Sequence, residues 1–425
     1  MNKDIYRQSR VMYILEAAFE YFISILVVGA YLAKLTTELG ISDSTTGILN
    51  SLTTLGCSLQ ILAIFFWGNK RAKRHVTVLH TINQLCFTLV YVIPFINIPQ
   101  GAKIAIFAVL LLGGHIINNI VQSPKTNWFM SLVDDNKRGR FTANKEIISL
   151  IGGMIFSFVM GTVMDHYEAK GDVKGAFIVC GITLFVLTLL HSSTLFLSRE
   201  KAPLGERDTS RKALISDLLK DKSFIKIIMV SVLWNVAHYV STPFFGTYQI
   251  KELGFSMAYI SILSAAYAIC RALFSRPLGK FADKHSFAKM LNICFAAVFI
   301  GFVVNIFTVP SNGKVFYVIY YMLYAIGMAG INSGEINLIY ERVSKEKRVC
   351  ALALKNSIAG IAGFVTTLIS GLLIDKIQAD GNTFLGLNVY AQQVVSAISA
   401  VLVIGIIIYL NTVVKKISIV KNDEC

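Results

Sequence analysis

Residues Val133–Asp165 read VDDNKRGRFTANKEIISLIGGMIFSFVMGTVMD. The chain writes this stretch twice, because 210 residues later Val343–Asp375 read VSKEKRVCALALKNSIAGIAGFVTTLISGLLID. Ten of the 33 positions are identical, among them Lys137/Lys347, Arg138/Arg348, Lys145/Lys355, Gly153/Gly363, Gly161/Gly371 and Asp165/Asp375. Each copy is a basic loop that feeds an apolar helix ending on an aspartate. Inside the helices small residues recur every fourth position: Gly153, Ser157 and Gly161, then Gly363, Thr367 and Gly371. They share one helix face, where small side chains let another helix approach closely within a membrane. A second echo, ELGIS at Glu38–Ser42 and ELGFS at Glu252–Ser256, agrees. The chain is two related halves, and both are built for lipid.

Composition supports this. Hydrophobic residues make up 55% of the chain against 15% charged, outside the balance of a soluble domain. The net charge of +15 does not mark a nucleic-acid binder, because the basic residues lie in short gaps between apolar runs and form no basic domain. Of the seven cysteines all but Cys350 and Cys425 fall inside apolar runs, without paired spacing, as small core residues do. No Walker loop, metal-ligand spacing or nucleophile motif occurs. The sequence therefore argues against ATP-driven pumping and against an enzyme, and implies no cofactor and no metal. The first apolar run is too long for a signal-peptide core and is expected to remain. The lack of an N-x-Ser/Thr acceptor favours a bacterial protein.

A spanning helix needs roughly 20 apolar residues. Twelve runs qualify, near 11–35, 45–67, 76–97, 103–125, 144–165, 175–197, 223–249, 256–278, 287–308, 315–338, 351–374 and 389–410. The expected fold is all-α and integral to the membrane, with twelve transmembrane helices in two pseudo-symmetric six-helix bundles. The bundles are 1–197 and 223–425, the second with a short cytoplasmic tail. The segment between them, 198–222, carries seven basic and five acidic residues and reads as a solvated cytoplasmic linker. With the N-terminus inside, 31 of the 40 lysines and arginines fall in inside segments and seven outside. The positive-inside rule therefore puts both termini in the cytoplasm and the chain in the cytoplasmic membrane.

After the eighth run the chain reads GKFADKHSFAK, Gly279–Lys289. Gly279, Asp283 and Lys284 match the G-x-x-x-D-[RK] signature of the major facilitator superfamily, which the chain resembles over essentially its whole length. The first-half counterpart, Gly68–His75, keeps the glycine and the basic residues but has Ala72 where the acid belongs. Arg138 and Arg140, in the RGR that opens the fifth run, resemble a further pattern of that family. The resemblance implies alternating access, with two bundles rocking about a midplane site and helices 1, 4, 7 and 10 lining the cavity. It also implies that Asp283 holds one bundle against the other on the cytoplasmic side.

Polar groups inside the runs mark the candidate site, since intramembrane polar clusters usually mark pathways. Glu16 and Glu20 lie one turn apart on the first run, with Glu20 about nine residues in, ~14 Å deep at helical rise. A charged carboxylate there costs on the order of 3 kcal/mol, so it is paired, protonated or wet. One reading is an ion pair, for instance with Arg271. The other is a proton-coupling site, with Glu20 first, then Glu16 and Glu335. The fourth run carries His115, Asn118, Asn119 and Gln122 on one stripe, suited either to interhelical hydrogen bonds or to a solute. The seventh offers Trp234, Asn235, His238 and Tyr239, and the tenth Asn332. His80 and His191 read as lone, satisfied polar residues. Lys125 and Glu335 are related by the 210-residue shift and sit at cytoplasmic helix ends, as a gate pair or as solvated charges.

The expectation is a secondary active transporter of a small organic solute, coupled to protons and acting as a monomer. The alternatives are a drug or metabolite efflux antiporter of the same superfamily, and a non-transporting membrane sensor or scaffold on the same fold. The fifth run lacks the proline of the family's antiporter pattern, which lowers the export reading.

Overall fold

A computed structural model describes residues 5–60, 72–134, 137–201, 211–344 and 347–417. Fourteen helical stretches carry the argument: α1 Arg7–Val27, α2 Gly29–Glu38, α3 Asp43–Ser58, α4 Lys73–Leu89, α5 Gln100–Met130, α6 Arg138–Ala169, α7 Val173–Leu197, α8 Arg211–Lys220, α9 Lys222–Tyr239, α10 Met257–Lys284, α11 Phe287–Ile306, α12 Gly313–Tyr340, α13 Arg348–Ala379 and α14 Ala391–Thr412. Among the described residues, eleven helical spans are long and apolar enough to cross a membrane. The second of the twelve expected runs begins as α3 and continues into 61–71, outside the described residues. Gly68–Arg71 of the first-half signature and 202–210 of the linker also lie outside them. Leucine, isoleucine, valine and phenylalanine side chains stand exposed along the helices, Phe196, Leu273 and Leu372 among them, where a soluble protein would carry charge.

The first run is not one straight helix. Val28 is extended and Gly29 takes φ +60°, a conformation that glycine adopts without cost, so α1 ends and α2 restarts. The break frees the Leu26 carbonyl, which accepts from the Tyr91 hydroxyl at 2.7 Å. The seventh run likewise gives way after Tyr239, just before Pro243, whose missing N–H ends the regular helix. Near the last helix, Thr383–Phe384 pairs antiparallel with Leu387–Asn388 through a turn in which Leu385 and Gly386 both have positive φ.

The chain divides into two compact units that follow the sequence halves except at two places. Unit 1 comprises 1–42 and 62–208 together with Phe255–Ile262. Unit 2 comprises the segment Asp43–Ile61, then 209–254 and 263–425. In unit 1, α1 packs on α6 and α7, while α4 packs on α5 and α7. In unit 2, α11 packs on α12 and α14, and α9 and α3 pack on α13.

The small residues of the repeat sit at the close approaches. A Cβ on Gly161 would lie 2.8 Å from the Met257 carbonyl oxygen, and one on Gly371 2.9 Å from the Ser44 hydroxyl oxygen. Ser157 and Thr367, one turn earlier, keep the same face. Ser157 Oγ meets Ser261 Oγ at 3.0 Å, and the Thr367 hydroxyl donates to the Tyr239 carbonyl at 3.1 Å. The aspartate ending the first copy has a defined task. Asp165 accepts from the backbone N–H groups of Met257 and Ala258 at 2.8 and 2.9 Å, satisfying donors that the start of α10 leaves open.

Candidate functional site: a buried ion cluster in unit 1

Four helices of unit 1 bring ionisable side chains to one place. From α1 come Glu16 and Glu20, one turn apart as the sequence spacing requires. Lys125 reaches in from α5, one residue after Pro124. Its ammonium donates to Glu16 Oε1 at 2.8 Å and to Glu20 Oε2 at 2.6 Å, and lies 3.2 Å from His80 Nε2 of α4. From α7, His191 Nε2 lies 3.1 Å from the same Glu16 oxygen. The two imidazole rings stack at 4.5 Å. Glu16, His80 and His191 are fully buried, Lys125 is nearly so, and Glu20 keeps 17% of its side chain exposed.

The arrangement has an electrostatic logic. A lone lysine or carboxylate at this depth is costly, so each charge is retained only because its partner is at hydrogen-bond distance. Lysine has three donors, and all three directions meet an acceptor. Three buried atoms of the cluster find no protein partner: Glu16 Oε2, His80 Nδ1 and His191 Nδ1. Glu16, His80 and His191 could each offer a ligand atom within 4.8 Å of the others. The Lys125 ammonium already stands among those atoms, so a metal ion would have to displace a buried cation.

The cation beside Glu20 is thus Lys125, where the sequence offered Arg271 as the example; Arg271 belongs to unit 2 and neighbours Tyr267. His80 and His191 stand side by side in one cluster, though the sequence set them 111 residues apart as lone polar groups. The signal that would have found them is bookkeeping: two acids on one apolar helix demand polar company, and the histidines and lysine inside neighbouring runs are able to supply it. Glu335 also has a partner in its own unit, Lys355 at 2.9 Å, one helix further along the chain.

The fourth-run stripe divides. His115 is buried against the Phe87 ring at 5.0 Å, and the Asn119 amide donates to the His115 carbonyl of its own helix at 2.8 Å. Asn118 is half-buried with its side-chain oxygen unpartnered, and Gln122 is exposed.

In unit 2 the aromatic residues of α9, α10 and α12 form a wall. Trp234 lies 5.4 Å from the His238 ring and 6.4 Å from Tyr324. The Tyr324 hydroxyl hydrogen-bonds His238 Nδ1. Tyr267 stands 5.0 Å from Tyr321 and 6.3 Å from Tyr324. Tyr239 lies against His238 at 4.7 Å, so the wall continues along α9. Asn235 donates to the Ser231 carbonyl one turn back, and Asn332 is exposed.

The basic and signature residues occupy helix ends. The Arg138 guanidinium donates to the carbonyl of Met130, the last residue of α5, at 3.2 Å. Its repeat mate Arg348 donates to the carbonyl of Tyr340, the last residue of α12, at 2.9 Å. Arg140 is exposed two residues into α6. Asp283 and Lys284 are exposed in the last turn of α10, and Gly279 lies one turn earlier.

A family model described as Major Facilitator Superfamily matches residues 14–365 and again 239–418. The chain belongs to the Major Facilitator Superfamily. Solved transporters share its fold. The nucleoside transporter NupG is 16% identical with a TM-score of 0.69, covering 98% of this chain and 100% of its own. The D-xylose-proton symporter is 13% identical with a TM-score of 0.68, covering 94% and 97%. The xylose transporter XylE from E. coli, inward open, is 12% identical with a TM-score of 0.61, covering 92% and 95%. At these identities the likeness establishes the fold. No curated protein matches the chain. As a Major Facilitator Superfamily member it is a multi-pass membrane transporter and not an enzyme.

Proposed function

We propose that this superfamily transporter moves a small organic solute by secondary active transport coupled to protons. The observation that carries the reading is the unit 1 cluster, in which one ammonium holds two carboxylates inside an apolar helix bundle. Such an array is stable in one protonation state at a time, which is what coupling a proton to a conformational cycle requires. Glu20, the partly exposed carboxylate, is the member through which protons enter and leave. Glu335, already matched by Lys355, serves structure.

The aromatic wall of Trp234, His238, Tyr239, Tyr267, Tyr321 and Tyr324 suits a solute with a ring, which stacks on aromatic faces while hydroxyls meet its polar edge. Nucleosides and sugars fit that description, and similar folds carry a nucleoside or xylose. The two six-helix bundles span 1–197 and 223–425 with the linker 198–222 and both termini in the cytoplasm. The transporter works as a monomer in a bacterial cytoplasmic membrane. The test is uptake of a nucleoside and sugar panel by proteoliposomes, with and without an inward-directed pH gradient. A solute accumulated only under the gradient supports the reading, and accumulation indifferent to the gradient removes proton coupling.

A further inference from the structure

The cluster is one positive charge short. Glu16 and Glu20 bring two negative charges, Lys125 brings one positive, and all lie within hydrogen-bond distance. Burying an unbalanced charge is strongly unfavourable, so a further cation belongs here when both carboxylates are ionised. We infer that His191 binds that proton, at Nδ1, and that His80 does not; the inference rests on the proton-coupled reading above and assigns the group that carries it.

The hydrogen bonds distinguish the two histidines. The Lys125 ammonium has donors only. Because it lies 3.2 Å from His80 Nε2, that nitrogen accepts and carries no hydrogen. His80 is therefore the neutral Nδ1–H tautomer, and a proton on Nε2 would set two positive charges 3.2 Å apart. His191 faces the opposite partner. Its Nε2 lies 3.1 Å from Glu16 Oε1, a carboxylate that only accepts, so His191 Nε2 donates. Its Nδ1 is buried with no partner and holds the free lone pair. Protonation there creates an imidazolium already hydrogen-bonded to Glu16.

Two carboxylate oxygens also face His80 Nε2, Glu20 Oε1 at 3.6 Å and Glu16 Oε1 at 4.0 Å, but both stand farther off than the Lys125 ammonium at 3.2 Å. From α1 come Glu16 and Glu20, from α4 His80, and from α5 Lys125. The other long helix of unit 1, α6, turns its ionisable groups elsewhere: Lys145 to the Tyr13 ring, Glu146 to the exposed surface, Asp165 to the start of α10 and Glu168 to Lys34. The salt bridge that His191 makes among the described residues is the one to Glu16. The two rings stack at 4.5 Å, so a proton on both would set two positive charges face to face, and a neutral His80 avoids this.

The experiment is histidine-selective nitrogen-15 NMR of the whole protein in lipid nanodiscs, titrated from about pH 5 to pH 8, the range in which imidazoles change charge. Signals are assigned through Ser192 and Thr81, so no variant is needed. The expected result is a His191 ring that is protonated at Nε2 throughout and gains a proton at Nδ1 as pH falls, beside a His80 ring that stays in its Nδ1–H form. A His80 that titrates, or a His191 that does not, overturns the inference. A second arm follows the pH profile of uptake. His191→Gln keeps a donor toward Glu16 but cannot titrate, and its uptake rate should lose at least about tenfold of its pH response, the span of one pH unit. If wild-type uptake itself ignores the pH gradient, the proton-coupled reading fails while the NMR result still decides which histidine titrates.

Discussion

Glu335 and Lys355 form an ion pair at 2.9 Å between α12 and α13, and the residues 210 positions earlier in the chain are two lysines, Lys125 and Lys145. The repeat therefore breaks at its most charged point. In unit 2 the pair is self-sufficient. In unit 1 the position that matches Lys355 is again a lysine, and Lys125 turns to α1, where Glu16 and Glu20 take it. Lys145 instead lies over the Tyr13 ring at 5.0 Å, a cation–π contact. Unit 2 thus closes its charges within the repeat, while unit 1 shares Lys125 with α1.

This division predicts opposite behaviour for the two acids. Glu335→Gln leaves Lys355 buried without a counter-charge and should cost about 3–5 kcal/mol, the scale for breaking a buried pair. The double change Glu335→Gln with Lys355→Met removes both charges and should recover most of the loss. Thermal unfolding of the detergent-solubilised protein checks this, and a single variant as stable as the double one would show the pair to be idle.

Glu20→Gln removes the second negative charge of the cluster, and with it the charge deficit that draws a proton, so it should abolish pH-driven accumulation while solute still exchanges across the membrane. Paired uptake and counterflow assays in proteoliposomes separate the two activities. Accumulation that survives the substitution would move the coupling role away from Glu20.

Gly161 faces the Met257 carbonyl, a backbone atom that cannot rotate out of the way. Gly161→Leu should therefore destabilise by about 1–3 kcal/mol, the usual penalty for overpacking. Gly405, whose added Cβ would meet nothing within 4 Å, is the control, and Gly405→Leu should leave the unfolding temperature within a degree or two of wild type. Equal shifts for both would show that the close approach does not matter.

Topology can be read with single cysteines. Those at Asp172 and Asn312 should react with an impermeant thiol reagent from outside intact cells, and those at Lys73 and Lys220 should not, given the excess of basic residues on one side. External labelling at Lys73 would invert the orientation.

Much of the fold was legible because the bilayer imposes a length and a composition on each helix, and the 210-residue repeat ties the halves together. The small-residue face was legible for the same reason, since Gly161 and Gly371 continue a four-residue spacing and sit at close approaches, to the Met257 backbone and the Ser44 side chain. The site was only half legible. Glu16 and Glu20 stand out as acids in an apolar run, yet sequence spacing says nothing about which of several helices supplies the counter-charge. His80 and His191 carry no local signature, because their meaning comes from each other and from Lys125. The break at Gly29 was hidden too, since a glycine in an apolar run reads equally well as continuous helix.

The contact between Asp165 and the start of α10 has a consequence for how the protein is made. Unit 1 takes in Phe255–Ile262, so the ribosome must extend the chain beyond residue 262 before that unit has all its pieces. Until then Asp165, Ser157 and Gly161 face a gap. A polypeptide stopped at residue 208 would carry that gap permanently. Supplying the remainder as a separate chain should restore it, so co-expression of the two fragments, with each one's lifetime measured alone and together, would report on biogenesis in a way no full-length variant can.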